Sequence, residues 1–299
     1  MIKKELSIIV PIYNKENYIK DCIESVLLIK EINYELILID DGSKDRSLDI
    51  VKKYEKRNNV KILIKENGGA SSARNLGIKN STGKYLMFLD ADDLINAEEF
   101  ENFYKKGSKE NVDIIFGNYN DFNGNIQNIK KDKRMQEIEK LPTLNGKEYF
   151  KFLDKKGLYN MIICKNLYKK DFLIRENIWW KEGIIFEDEI FSYITLNRAK
   201  RVKYIDKYFY FYRKNSMNSV MKGMNNKLKD YMKVSETLSE EFLKNDTVIC
   251  MKKIPIIFYL RAVKKTKIRD KKIENKIFKL KGIFFYKLRK KIEILIYSC

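Results

Sequence analysis

The stretch FLDADDL, residues 88 to 94, sets Asp90, Asp92 and Asp93 within four positions of one another. Carboxylates at that spacing repel unless a cation or open water takes up the charge. Two readings of the run stand. Asp is a common turn residue, so the cluster is in one reading a solvated strand end followed by a helix cap. In the other it holds a hard divalent cation: Mg²⁺ and Mn²⁺ prefer carboxylate oxygens, keep several waters, and are shared between one or two protein carboxylates and substrate phosphates. In that second reading, Asp90-x-Asp92 clamps a nucleotide diphosphate.

Three other loops carry chemistry that fits a nucleotide. In Pro11-Ile12-Tyr13-Asn14, Tyr13 offers an aromatic face to a planar base, and Asp41 can accept from a ring N–H such as that of uracil. The bland alternative is a core tyrosine and an ordinary turn aspartate. Arg74 falls about one turn into a helix opened by Gly68-Gly69, where free backbone N–H groups and a guanidinium can both meet a phosphate. Neither the Gly-Lys-Ser/Thr ending of a P-loop nor Gly-x-Gly-x-x-Gly occurs, so kinase and dinucleotide readings lack their motif. The chain has no histidine, which removes the commonest zinc ligand and the commonest neutral-pH base. A general base must be a carboxylate, Lys, Tyr or Cys.

The elements that position these loops alternate. Leu6 to Val10, Glu35 to Asp40, Val60 to Lys65 and Tyr85 to Leu89 are short β-branched or aromatic runs bounded by turn residues, hence strands. Ile19, Cys22, Ile23, Val26 and Leu27 follow the spacing of one buried helix face. Ile50, Val51 and Tyr54 repeat it behind Ser43 as a candidate cap, and Ala73 and Leu76 behind Ser71. Alternation of this kind predicts an α/β fold with a mostly parallel central sheet covered by helices on both faces, and ligands at the carboxyl ends of its strands. All four polar loops fall there. A further strand is expected at Asp113 to Phe116.

SIIVPIYNKENYI, ELILIDDGSKDRS, NGGASSARNLGI and YLMFLDADD, in this order and spacing, resemble glycosyltransferase family 2, the inverting sugar-nucleotide transferases of GT-A fold. The detailed match runs from about residue 5 to 105. The resemblance implies a Rossmann-like GT-A core and a nucleotide-sugar donor, a UDP-sugar by expectation. It places Pro11, Tyr13, Asn14, Asp41 and Arg74 on the nucleotide, Asp90 near the ribose or the metal, and Asp92 as principal ligand of Mn²⁺ or Mg²⁺. Asp93 is left as a supporting residue or cap. KEGIIFEDEIFSY resembles the family's Glu-Asp motif, which implies Asp188 as the general base; its bland alternative is an acidic pair at a helix start, complementing the dipole. FYFYRKNSMNSVMK resembles a loop that sets Arg213, Ser216 and Ser219 close to the diphosphate; its bland alternative is a plain edge strand.

A chain of 299 residues, 44% hydrophobic, is long enough for a sizeable core. We divide it into a catalytic domain over 1–221, with a nucleotide half to about 105 and an acceptor-side half from 106, and a helical basic extension over 222–299. The net charge of +20 is concentrated at the end: from Lys222 onward, 21 Lys and Arg face 8 Asp and Glu, a net of +13. Ile277, Leu280, Phe284, Leu288, Ile292 and Leu295 form an apolar stripe among those cations. Two readings stay open for it, a helix on an anionic membrane surface or packing against the catalytic domain. Residues 106 to 180, which include the expected strand, a polar stretch through Met135 and an aromatic-rich segment with Trp179 and Trp180, are expected to shape acceptor choice. Cys22, Cys164, Cys250 and Cys299 form no Cys-x-x-Cys pair and no signal peptide is evident, so a cytoplasmic protein, peripheral at the inner face of the cell membrane, is expected. The family resemblance implies a glycan or glycolipid acceptor. Two rivals are a metal-dependent nucleotidyltransferase with a similar sheet and a basic nucleic-acid binder. The second leaves the carboxylate loops unexplained and sets anionic clusters where phosphates must approach, so no nucleic-acid partner is expected.

Overall fold

The structure, a computed structural model, describes residues 4–122, 133–158, 163–214, 228–266 and 270–280. In chain order, the first half is β1 (Leu6–Ile12), α1 (Ile19–Leu27), β2 (Tyr34–Asp40), α2 (Ser47–Lys52), β3 (Val60–Ile64), α3 (Ala70–Asn80), β4 (Tyr85–Phe88), β5 (Leu94–Ile95), α4 (Ala97–Ser108) and β6 (Ile114–Phe122). It continues with α5 (Lys133–Glu139), α6 (Gly146–Lys156), β7 (Asn166–Lys169), α7 (Lys170–Arg175), α8 (Glu187–Arg198) and β8 (Val202–Arg213). Three helices close the sequence: α9 (Leu228–Lys244), α10 (Ile249–Thr266) and α11 (Lys271–Lys279).

By internal contacts the chain divides into two units. One holds Met1–Asn145, Ile162–Gly183 and Ala199–Ser219; the other holds Gly146–Met161, Ile184–Arg198 and Val220–Cys299. This division runs differently from a cut at residue 221, because α6 and α8 group with the C-terminal helices.

The first unit carries an eight-stranded mixed sheet in the order β3-β2-β1-β4-β7-β6-β8-β5. β1 to β4 pair in parallel, as do β6 and β8, whereas β7 runs antiparallel between β4 and β6, and β5 antiparallel to β8. β1 reads LSIIVPI and is buried at all but one position, as expected of a central parallel strand covered on both faces. Its register with β2 sets Ile12 against Asp40, and the Asp41 amide donates to the Ile12 carbonyl at 2.8 Å. Phe88 of β4 pairs with Ile9. The loops after β1, β2 and β4 therefore leave one sheet edge side by side. The aromatic run ending at Arg213 is not an edge strand, since β8 lies between β6 and β5.

Helix α1 buries Ile19, Cys22, Ile23 and Val26, the face its spacing predicts. The two expected serine caps are not caps. α2 starts after Arg46 and α3 after Gly69, neither with a side-chain cap, so Ser71 lies inside α3. Ser43 instead accepts from the Asn14 amide at 3.2 Å, which ties the β1 and β2 loops together. α3 is seated on the sheet by Gly77, where an added Cβ would lie 2.4 Å from Cγ2 of Ile9 and 3.0 Å from Cδ1 of Ile39. Both isoleucines are fully buried. Gly77→Ala is therefore expected to destabilise the fold by about 1–3 kcal/mol, the usual range for overpacking a filled core. Chemical denaturation measures this, and an unchanged midpoint would show that α3 is not seated so closely.

The second unit is helical. Ile256, Tyr259, Ile273 and Ile277 form a buried cluster, with Met232 and Leu260 packed against it. Lys276 is paired to Glu236 at 2.7 Å and to Glu240 at 2.5 Å. The first two residues of the expected apolar stripe, Ile277 and Leu280, are thus buried within this unit; the others lie outside the described residues. Among the described residues no helix is long and apolar enough to cross a membrane.

Candidate functional site

Each of the three clustered carboxylates has partners from the chain itself. Asp90 accepts from Arg74 Nη2 at 2.9 Å and from the Cys164 thiol at 3.5 Å. Arg74 is 4% exposed and lies over the Trp180 ring, 4.4 Å from its centroid. Asp92 Oδ2 meets Lys15 Nζ at 2.6 Å. Asp93 accepts from the Arg213 amide at 2.7 Å and from the Tyr210 hydroxyl. Burial pushes the Asp93 carboxyl up to about 8, with Asp90 beside it adding to the shift and the two hydrogen bonds opposing it. Asp93 is a buried brace between the Asp loop and β8. The same burial and the charges of Asp93, Asp92 and Asp90 hold the Cys22 thiol well above its ordinary pKa.

The base-side loops are as closely tied. Tyr13 is 41% exposed, an open ring at the sheet edge. Next to it Asn14 has φ of 52°, a left-handed geometry Asn tolerates, and its Oδ1 accepts from the Lys44 amide at 2.8 Å. Asn14 is therefore a joint between loops. Pro11 sits within β1, opposite Ile39. Asp41 is 2% exposed and accepts from Lys65 Nζ at 2.6 Å, the Gly68 amide at 2.9 Å and the Gly69 amide at 2.7 Å. Asn67 adds a weaker bond at 3.3 Å and donates to the Asp41 carbonyl at 3.0 Å. The glycine-pair amides and Arg74, expected to face a phosphate, are thus engaged with Asp41 and Asp90. They shape the loop walls that a ligand would meet.

Arg213 reaches the Asp loop from β8. Its Nε donates to the Asp92 carbonyl at 2.7 Å, and its guanidinium lies 5.0 Å from the Tyr18 ring centroid and 4.7 Å from that of Phe122. Ser216 and Ser219 lie outside the described residues. Eight expected residues, Pro11, Tyr13, Asn14, Asp41, Arg74, Asp90, Asp92 and Arg213, are in the first unit. Asp188 is in the second, in the first turn of α8 with Glu187 and Glu189, where carboxylates complement the helix dipole. The residue before that helix, Phe186, has φ of 72°, a genuine outlier for a bulky side chain. Its ring stacks on Tyr231 of α9, centroids 4.7 Å apart. Burial pushes Glu189 up to about 7, opposed by Arg261 and reinforced by Asp188.

Several contributors escape a reading of types and spacing. Lys15 and Lys65 are two of 61 Lys and Arg residues, and nothing local separates them from surface cations. Trp180 is buried beneath Arg74, its backbone locked to Asn75 by bonds of 3.0 and 2.9 Å. Among the described residues no group of three or more His, Cys, Asp or Glu is placed to hold a metal ion. The donor set fits a different arrangement: Asp92 is 15% exposed and held by one flexible lysine, and Asp90 is 33% exposed. One or two such carboxylates suffice for a hard cation that takes its remaining ligands from phosphates and water.

The chain matches the family model "Glycosyl transferase family 2" over residues 7–175. It is 32% identical over 213 residues to the uncharacterized glycosyltransferase EpsJ of Bacillus subtilis (strain 168), covering 70% of this chain and 61% of that one. It is 33% identical over 224 residues to the minor teichoic acid biosynthesis protein GgaB of the same organism, covering 70% of this chain and 23% of that one. The chain thus spans about three fifths of EpsJ and a smaller part of GgaB. Among solved structures, Staphylococcus aureus TarS 1–349 in complex with UDP-GlcNAc superposes with a TM-score of 0.68 at 21% identity, over 98% of this chain and 84% of that one. That likeness shows a shared GT-A-like α/β fold.

Proposed function

The chain belongs to glycosyltransferase family 2, and from that premise we propose that it moves a sugar from a nucleotide-sugar donor, a UDP-sugar, to a hydroxyl of a growing, lipid-linked surface glycan. The observation that carries this reading is the convergence on one sheet edge of an exposed aromatic ring, Tyr13, with the Asp41 loop and the Asp90-x-Asp92 pair. TarS, of the same fold, holds UDP-GlcNAc, and GgaB is named for teichoic acid biosynthesis.

In this reading Tyr13 stacks on the base, and Asp41 sets the floor of the base pocket through Gly68 and Gly69. Asp92, with Asp90, would hold Mn²⁺ or Mg²⁺. When bound, that cation neutralises charge on the departing nucleoside diphosphate. Arg74 fixes the direction of Asp90, and Arg213 fixes the backbone of Asp92, so the carboxylates need little reorganisation during reaction. Asp188 takes the proton from the acceptor hydroxyl as that oxygen bonds to the anomeric carbon. The bond from that carbon to the diphosphate breaks on the opposite face, which inverts the centre and needs no covalent enzyme intermediate. The +13 segment from Lys222 onward suits work beside an anionic leaflet, where each Lys or Arg contributes about 1 kcal/mol.

Product analysis tests the reading. Incubated with a panel of sugar nucleotides and Mn²⁺, the protein is expected to release nucleoside diphosphate. Pyrophosphate formed from a nucleoside triphosphate and a sugar phosphate, with no diphosphate from any sugar nucleotide, would establish a nucleotidyltransferase instead.

A further inference from the structure

We propose that Lys15 occupies, in the resting protein, the place at Asp92 that a divalent cation takes when donor arrives, so that metal and nucleotide diphosphate load together. The proposal rests on the donor-site reading above and assigns a role to a residue outside it. Lys15 Nζ lies 2.6 Å from Asp92 Oδ2, with side-chain exposures of 17% and 15%. A charge-assisted bond that short and that sheltered is among the stronger kinds.

The main chain of Lys15 is pinned. Its amide donates to Ser47 Oγ at 2.7 Å, and its carbonyl accepts from the amides of Tyr18 and Ile19, both at 2.9 Å. Only the side chain is left to move, and it belongs to the same loop as Tyr13. The other two carboxylates differ in this respect. Asp90 is held by Arg74, which is itself buried and stacked on Trp180. Asp93 is held by a backbone amide and a buried tyrosine. Asp92 is thus the carboxylate of the three whose countercharge rides on a flexible stem.

An ammonium and a divalent cation cannot share Oδ2, because like charges at contact repel. A metal alone must therefore displace Lys15 and leave it without a countercharge. When a nucleoside diphosphate arrives with the metal, it supplies a new anion for the released ammonium. Metal affinity is then conditional on nucleotide, and by linkage nucleotide affinity is conditional on metal to the same degree. The arrangement keeps a site with few carboxylates neutral at rest and lets it take up a cation only with its substrate.

Mn²⁺ binding to the full chain, read from the electron paramagnetic resonance signal of free Mn²⁺ with and without UDP, tests this without any assay of activity. Lys15→Met is expected to bind Mn²⁺ alone on the order of tenfold more tightly than wild type, the scale of one charged hydrogen bond removed from competition. The enhancement of Mn²⁺ binding by UDP should shrink with it. Lys15→Arg, which keeps the charge, should retain weak, UDP-dependent binding, and thermal melting checks that both variants fold. If Lys15→Met binds Mn²⁺ no better than wild type while Asp92→Asn abolishes binding, Lys15 is no competitor and only the metal reading survives. If no variant binds Mn²⁺ with or without UDP, both readings fall.

Discussion

Asp188→Asn is expected to slow sugar transfer by about 10²- to 10⁴-fold, the range typical of losing a general base, while leaving donor binding near its wild-type strength. The chain contains no histidine, so the proton of the acceptor hydroxyl must go to another group, and the first turn of α8 concentrates three carboxylates. Successive helical side chains project about 100° apart, so Glu187, Asp188 and Glu189 cannot all face one hydroxyl. Asn keeps the size of Asp and removes the basic oxygen. The side-chain bonds that hold Asp90 and Asp92 come from Arg74, Cys164 and Lys15, and the substitution removes none of these groups. Glu187→Gln, measured beside it, should transfer sugar at close to the wild-type rate. A wild-type rate for Asp188→Asn would remove that residue from the chemistry.

Asp92→Asn is expected to weaken binding of the donor diphosphate and to lower turnover by on the order of 10²-fold or more, the scale of losing one group that stabilises transition-state charge. Excess chelator should do the same to the wild-type protein. The effect should be local, because Arg213 grips the Asp92 carbonyl and not its carboxylate. The β8 anchor of the loop therefore survives the substitution, as does the Asp93 bond to the Arg213 amide. Loss of the Lys15 ion pair is expected to lower the melting temperature, with the fold retained and turnover lost. Full activity in excess EDTA would contradict the metal assignment.

Much of the first unit was legible because its strands and helices follow from local pattern. The continuous apolar run of β1 and the spacing of Ile19, Cys22, Ile23 and Val26 need no distant partner to be recognised. The Asp loop was legible as a charge problem, since three carboxylates in four residues demand an explanation. Its answer at rest was not, because Lys15 and Arg74 come from 77 and 16 residues away and look like any other cation along the chain. The caps mislead for a related reason: Ser43 has a cap's chemistry, but the neighbouring loop presents the Asn14 amide to it. The two-unit division was hidden too. α6 is an ordinary amphipathic segment and α8 is buried along most of its length, and only contacts assign them to the C-terminal helices. Trp180 illustrates the limit of composition, since its value as a platform for Arg74 depends on a helix a hundred residues earlier.

Calorimetric titration of a UDP-sugar and Mn²⁺ into wild type, Asp92→Asn and Asp188→Asn, followed by transfer assays on the same preparations, tests the donor-site assignment most directly. The predicted result is near-normal donor binding without transfer for Asp188→Asn, and loss of both for Asp92→Asn. Undiminished donor binding by Asp92→Asn, together with lost donor binding by Asp188→Asn, would contradict the division of roles between the Asp loop and helix α8.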